Sequence, residues 1–78
     1  MLTYALLNEN GNELQYKYFP EGGTAPGVVS YNKETGECYI NKLSEKDKHQ
    51  MYALKLFKKI RDFERNGSFQ KEGMIAWY

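Results

Sequence analysis

Apolar and polar positions follow two different rhythms along this chain of 78 residues. Between Ser44 and Asn66 the apolar residues recur about every three to four positions, which predicts an amphipathic helix. At about 100° per residue they fall within one stripe, as expected for a helix that lies on a sheet. The stripe comprises Tyr52, Ala53, Leu56, Phe57, Ile60 and Phe63, with His49 in the same sector.

Both ends of this segment carry helix signals. Ser44 followed by Asp47 is a variant of the capping box, in which side chains satisfy backbone N–H groups that have no partner in the first turn. Asn66-Gly67 supplies the stop, since glycine accepts the left-handed conformation that ends helices. The sequence therefore predicts a helix over residues 44–66.

Before the helix the rhythm changes to alternation, which predicts short strands. Met1–Asn8 and Asn12–Phe19 flank a turn, and two registers are open. With Asn10-Gly11 as the loop, both faces of the hairpin are mixed in polarity. With Glu9–Gly11 as a three-residue loop, one face is apolar, and we favour this register because a one-residue slip sends every side chain to the opposite face. Its apolar pairs are Leu2 with Tyr18, Tyr4 with Tyr16 and Leu6 with Leu14.

A second hairpin follows the irregular segment Pro20–Pro26. Gly27–Tyr31 and Glu37–Leu43 are its strands. In the turn between them, Asn32 can fold its side chain onto the backbone and Gly36 can take the left-handed position. The predicted pairs are Tyr31 with Cys38, Val29 with Ile40, Ser30 with Tyr39 and Val28 with Asn41.

Together these elements predict an α+β fold, an antiparallel β-meander of four to five short strands packed on one long α-helix in the C-terminal half. We expect the apolar segment Met74–Tyr78 to dock as a fifth strand on a sheet edge or across the helix. The length predicts a single domain, residues 1–78, with a thin core. The predicted inner sheet face comprises Leu2, Tyr4, Leu6, Leu14, Tyr16, Tyr18, Val29, Tyr31, Cys38 and Ile40.

Cysteine usage and hydropathy bear on the compartment. Cys38 is the only cysteine, and no charged-then-apolar leader opens the chain, so we expect a cytoplasmic protein. No apolar run approaches the roughly 20 residues that span a bilayer. One histidine and one cysteine cannot complete a structural zinc site in a monomer, so we expect neither a metal nor another cofactor.

Three residues could suggest catalysis, namely Asp47, His49 and Cys38. On a helix, positions 47 and 49 are about 200° apart around the axis and point to opposite sides. We interpret His49 as a residue at the core edge, bonded to a carbonyl or a tyrosine hydroxyl, and Cys38 as a small hydrophobe. The sequence therefore favours a protein that is not an enzyme.

The charge is unevenly distributed although its net value is only +1. The predicted helix carries seven bases against four acids. Its outer face could track a phosphate backbone, but the apolar Met51 and Leu54 lie among these cations, an arrangement that favours a protein partner. The candidate binding residues are Lys48, Met51, Leu54, Lys55, Lys58, Lys59, Arg61 and Arg65.

The outer face of the sheet is a second candidate surface. It is polar at Thr3, Glu13, Gln15 and Lys17, and it also carries apolar side chains. A second copy of the chain could cover this face or pair with a sheet edge, giving a symmetric homodimer. The apolar residues concerned are Leu7, Phe19, Val28, Tyr39 and Leu43.

The stretch PEGGTAPGVVSYNKETGE, together with the helix and the ending NGSFQKEGMIAWY, resembles small proteins of phage and other mobile elements of Gram-positive bacteria. The likeness covers Pro20 to Tyr78 and implies no particular activity or site residues. FP and PG around Phe19 to Gly27 also resemble the start of HicB-type antitoxins, where the proline-glycine element soon precedes a helix. Here a full hairpin intervenes between that element and the helix.

Two functions of different class follow. The first is a small accessory protein, such as an inhibitor or regulator of a mobile element, that binds a protein partner through the exposed helix face. The alternative is a weak nucleic-acid binder that uses the basic face of helix 44–66. Salt separates them, because phosphate binding weakens by orders of magnitude as salt rises whereas an apolar protein contact hardly changes.

Overall fold

A computed structural model describes residues 1–76 of the chain. Its sheet has five strands in the spatial order β4-β3-β2-β1-β5, with every neighbouring pair antiparallel. One helix, α1, packs on it, so the predicted α+β meander is confirmed. The elements are β1 (Leu2–Asn10), β2 (Glu13–Pro20), β3 (Gly27–Asn32), β4 (Cys38–Lys42), α1 (Met51–Asn66) and β5 (Glu72–Ile75).

The core lies between α1 and one face of the sheet, as the apolar patterning predicted. On the helix the stripe residues from Ala53 to Phe63 are buried, and Tyr52 is partly buried. On the sheet all ten predicted inner residues contribute. Seven are buried, namely Leu2, Tyr4, Leu14, Tyr16, Tyr18, Val29 and Tyr31, and three pack against them half-buried, namely Leu6, Cys38 and Ile40.

Two buried tyrosines give this core polar anchors. Tyr16 donates its hydroxyl to the Gln70 carbonyl at 2.7 Å, and Tyr18 donates to Asp47 at 3.1 Å. Each ring contributes a large apolar body while its hydroxyl keeps a partner. Burial raises the pKa of each hydroxyl to about 12, because the ionised form would be poorly solvated.

Two glycines make room for tyrosine rings across neighbouring strands. Tyr18 on β2 pairs with Gly27 on β3, and Tyr4 on β1 pairs with Gly73 on β5. A Cβ atom on Gly27 would lie 2.2 Å from Cε1 of Tyr18, and one on Gly73 would lie 2.6 Å from the Tyr4 hydroxyl. The two tyrosine rings can therefore pack against bare backbone only because these positions lack side chains.

The register of the first hairpin differs from both predicted alternatives. Tyr4 pairs with Tyr18 and Leu6 with Tyr16, and a two-residue loop of Gly11 and Asn12 joins the strands. The favoured three-residue loop is therefore wrong. A bulge adds Leu7 to β1, and alternation along one strand does not reveal such an extra residue. Because the pairs are displaced by two positions, the apolar face is preserved.

The second hairpin follows the prediction closely. Tyr31 pairs with Cys38, Val29 with Ile40 and Ser30 with Tyr39. The Asn32 side chain accepts the N–H groups of Glu34 and Thr35 at 2.8 and 3.1 Å, and Gly36 is left-handed with φ 76°. Val28 faces Lys42 instead of the predicted Asn41, because the register shifts there.

Helix α1 begins at Met51, seven residues later than the predicted start at Ser44. Ser44 does not cap the helix, because its hydroxyl donates to the Ala25 carbonyl and its N–H donates to the Tyr18 hydroxyl. Residues 44–50 instead form turns. Asp47 reaches the helix from outside and accepts two N–H groups of the first turn, both at 3.0 Å. The predicted capping acid therefore acts on a shorter helix.

The C-terminal end of α1 agrees with its predicted stop. Gly67 is left-handed with φ 75°, and its N–H donates to the Glu64 carbonyl. The N–H of Ser68 donates to the Phe63 carbonyl, which completes a Schellman motif. The chain then returns to the sheet edge as β5, which confirms the fifth-strand alternative. Trp77 and Tyr78 of the predicted docking segment lie outside the described residues.

Candidate functional site

An exposed apolar pair marks the outer face of α1. Met51 and Leu54 are 55% and 57% exposed, and residues three apart on a helix are surface neighbours. Lys55 and Lys58 complete the lining of a shallow depression of about 210 Å³. We name these four residues the Met51–Leu54 patch. It offers two apolar side chains framed by two lysines.

The start of α1 explains why Met51 is exposed. Gln50 is left-handed with φ 60°, so the chain turns sharply before the helix. Asp47 lies below this turn and is buried, with its carboxylate directed at the first-turn N–H groups. Asp47 therefore anchors the segment before the helix to the core. Met51 is the first residue of α1 and lies on its outer, solvent-facing side.

The predicted basic face does not form one continuous cationic surface. Lys48 lies in the turns before α1 and is not a helix residue. Lys59 is half-buried with its ammonium group 5.8 Å from the centre of the Phe63 ring, a cation–π arrangement. Lys59 and Arg61 lie about 200° apart around the helix axis. The cations therefore point to different flanks of the helix.

Two arginines of the candidate set have acidic or thiol neighbours. Arg65 pairs with Asp62 at 3.2 Å on the solvent side of the last turns. Arg61 lies beside the thiol of Cys38 on β4. Burial raises the pKa of that thiol, and the Arg61 guanidinium partly offsets the effect. Arg61 is thus directed toward the β4 edge of the sheet.

Lys55 and Lys58 also extend the patch toward β5. A second depression of about 190 Å³ is lined by these two lysines with Lys59, Asp62 and Ile75. Ile75 is the last residue of β5, so the surface continues from the helix to the sheet edge. Of the eight candidate residues, the structure brings Met51, Leu54, Lys55 and Lys58 together, with Lys59 beside them in the second depression.

The three residues considered for catalysis have separate environments. Asp47 is buried and bonds Tyr18 and the helix N–H groups. His49 is exposed in the turns before α1, so its predicted place at the core edge is wrong. The reason is that the helix begins only at Met51. Cys38 lies half-buried on the inner sheet face, as predicted.

One contact near the patch had no signal in the sequence. Tyr52 donates its hydroxyl to Glu21 at 2.6 Å, and the amino group of Met1 binds the same carboxylate at 3.1 Å. These bonds hold the pKa of Glu21 below its ordinary value, the Tyr52 bond most strongly. Glu21 lies in the Pro20–Pro26 loop, and only the folded chain brings that loop to the helix.

Sequence reasoning also missed a cleft at one end of the sheet. It has a volume of about 340 Å³ and forms where the Pro20–Pro26 loop meets the connection between β4 and α1. The bond from Ser44 to Ala25 joins these two segments. Its lining residues are Thr24, Ala25, Pro26, Lys42, Glu45 and Lys46.

Comparison with protein-family models, with curated proteins and with solved structures finds no match to this chain. Within residues 1–76, no helix is long and apolar enough to cross a membrane. Over the same residues, no group of three or more histidine, cysteine, aspartate or glutamate side chains is arranged to hold a metal ion. A functional proposal for this chain therefore has to be based on the geometry of the Met51–Leu54 patch.

Proposed function

We propose that this chain is a small interaction protein without catalytic activity, which binds a protein partner through the Met51–Leu54 patch. The observation that carries the proposal is the pairing of two side chains, each more than half exposed, in one lysine-framed depression. The proposed role is that of an accessory protein, such as an inhibitor or regulator, and the resemblance to proteins of mobile elements suggests only the setting in which it would act.

The energetics of the patch support a protein partner. Burying the exposed halves of Met51 and Leu54 contributes about 1 kcal/mol each, because complete burial of such a side chain is worth about 1.5–3 kcal/mol. Lys55 and Lys58 stand at the border, where charged residues surround the apolar centre of an interface. Such a surface fits an apolar side chain on the partner with carboxylates around it.

The scatter of the cations argues against the nucleic-acid alternative. Tracking a phosphate backbone requires several cations along one line. Arg61 is directed toward Cys38, Lys59 lies over the Phe63 ring, and Arg65 is paired with Asp62. A duplex laid along α1 would meet two apolar side chains where it needs positive charge.

The first experiment places a photo-crosslinking amino acid at Leu54 in cells that naturally express the protein. The matched position is Thr35, which is exposed in the β3–β4 turn. We expect a discrete protein adduct from position 54 and none from position 35. Equal adducts from both positions, or none from either, contradict the proposal.

The second experiment measures affinity for the captured partner, purified. Leu54→Asp should weaken binding at least tenfold, whereas Leu43→Asp, which changes an exposed leucine outside the patch, should not. Raising salt from about 50 to about 200 mM should change the affinity less than about threefold. Binding of a labelled DNA duplex that collapses over the same salt range would instead support the nucleic-acid function.

A further inference from the structure

The sheet face opposite α1 carries no covering element among the described residues. Its exposed apolar side chains include Leu7 at 48%, Tyr39 at 46% and Met74 at 58%. Tyr39 and Met74 lie on this side because they pair with Ser30 and Thr3, and Leu7 follows the inward-facing Leu6 on β1. We call this surface the open face. It lies on the opposite side of the sheet from the Met51–Leu54 patch.

One row of cross-strand neighbours crosses the whole open face. Its members are, in order from β4 to β5, Lys42, Val28, Lys17, Ala5 and Glu72. A base therefore lies at one edge of the sheet and an acid at the other. The edges are four strand spacings apart, or about 19 Å. Glu13 lies on the same face, and so does Glu37, which accepts the hydroxyl of Tyr39 at 3.0 Å. The face therefore carries two bases and three acids.

We propose that the open face binds a second copy of this chain, related by a two-fold axis that runs parallel to the strands through β2. This rotation exchanges the two edges of the sheet. It places Lys42 opposite Glu72 of the second copy, and Glu72 opposite its Lys42. Stacked sheets lie about 10 Å apart, a gap that one lysine and one glutamate side chain can span together.

The size of the face fits such a dimer. The two longer dimensions of the molecule are 29 and 24 Å, which bound the broad face at about 700 Å², close to the roughly 800 Å² that each partner buries in a standard interface. The central apolar residues then lose water on both copies. A face that is nearly neutral and oppositely charged at its edges is complementary to itself, which favours a second copy over a strongly charged partner.

The centre of the row limits the affinity. Lys17 and Glu13 both lie on β2, so the two-fold axis brings each of them close to the same residue of the second copy. Like charges that face each other oppose association. The dimer should therefore be weak and dependent on concentration, and removing the charge of Lys17 should strengthen it.

This inference does not rest on the proposed function. α1 and the open face lie on opposite sides of the sheet, so a dimer leaves the Met51–Leu54 patch free for its partner. Leu54→Asp should accordingly leave dimerisation unchanged. Failure of one proposal is thus distinguishable from failure of the other.

The test is sedimentation velocity of the purified chain from about 10 µM to about 1 mM. The parent chain should pass from monomer to dimer across this range. Lys42→Glu and Glu72→Lys should each weaken the dimer about tenfold, because each converts two attractive contacts into repulsive ones. The double variant, Lys42→Glu with Glu72→Lys, should restore it, and Lys17→Met should tighten it.

Three outcomes overturn the proposal. The first is a parent chain that remains monomeric at the highest concentration. The second is a dimer that the single charge reversals leave intact, or that the double reversal fails to restore. The third is a dimer that Leu54→Asp dissociates, since that result places the contact on α1.

Discussion

Replacing Gly27 with alanine tests the packing of Tyr18 against β3. The added Cβ would lie 2.2 Å from Cε1, 2.4 Å from Cζ and 2.6 Å from the hydroxyl oxygen of Tyr18. The ring cannot simply move aside. Its hydroxyl donates to Asp47 at 3.1 Å and accepts the N–H of Ser44 at 3.2 Å. Relief of the clash therefore requires loss of the bonds that hold the start of α1.

The expected cost is a large part of the total stability. Overpacking a core costs about 1–3 kcal/mol, and the two hydrogen bonds of the Tyr18 hydroxyl contribute about 1 kcal/mol each. We expect Gly27→Ala to lower the free energy of unfolding by about 3 kcal/mol. A domain of this size has about 4–12 kcal/mol in total. The melting temperature should then fall by about 12–24 °C.

The assay is urea denaturation followed by circular dichroism. Gly23→Ala is the matched control, because Gly23 lies in the exposed loop and would meet only the Pro20 carbonyl oxygen at 3.3 Å. In a Tyr18→Leu background, Gly27→Ala should lower the free energy of unfolding by less than about 1 kcal/mol, because the ring that the new Cβ would clash with is absent. A change below about 0.5 kcal/mol in the parent background, or an equal cost in both backgrounds, would refute the reasoning.

Two further predictions concern buried polar groups. Asp47→Ala should lower the free energy of unfolding by about 2–4 kcal/mol, because it removes the acceptors of the first-turn amides of α1. Hydrogen exchange of those amides should become faster. The control is Asp62→Ala at a half-exposed position, which should change the free energy of unfolding by less than about 1 kcal/mol. Stability should also fall as pH rises from about 10 to about 12. Burial raises the pKa of Tyr16 and of Tyr18 to about 12, so the unfolded chain loses these protons first. Each tyrosine contributes up to about 1.4 kcal/mol per pH unit. An unfolding free energy that stays constant between about pH 10 and about pH 12 would contradict this.

Side-chain alternation was sufficient to assign each strand residue to a face of the sheet, but not to identify its cross-strand partner. Leu6, Tyr16 and Val29 all lie on the predicted inner face, because burying one side of a sheet imposes a period of two on each strand. The bulge at Leu7 shifted the pairing of the first hairpin without moving any residue of that face. The sequence of one strand does not show where a bulge will form, because the bulge changes hydrogen bonding and side-chain pairing only with the neighbouring strand.

The start of the helix could not be predicted for a similar reason. Ser44 has the local features of a cap, yet its bonds run to Ala25 and to Tyr18. Those partners precede it by 19 and 26 positions, and no local pattern indicates them. The end of the helix was predictable because the left-handed turn at Gly67 is a property of the glycine itself.

The candidate site was predicted in part. Helical periodicity was enough to place Met51 and Leu54 on the outer face, since that face depends only on the apolar stripe opposite. The direction of Arg61 depends on Cys38 of β4, so it required the folded sheet, whereas Lys59 and Phe63 are neighbours four positions apart on one helix. The prediction that all the cations form one surface therefore overestimated how continuous the positive charge on α1 is.

The pairing of β1 with β5 bears on the order of synthesis. Tyr4 and Gln70, which hydrogen bond at 3.1 Å, are 66 positions apart, so β1 is translated long before its outer neighbour. On the ribosome, the nascent meander presents the β1 edge as an unpaired template, and unpaired edges recruit other strands. Once residues 72–75 pair with β1 that edge is closed, so β5 protects β1 from aggregation during biosynthesis.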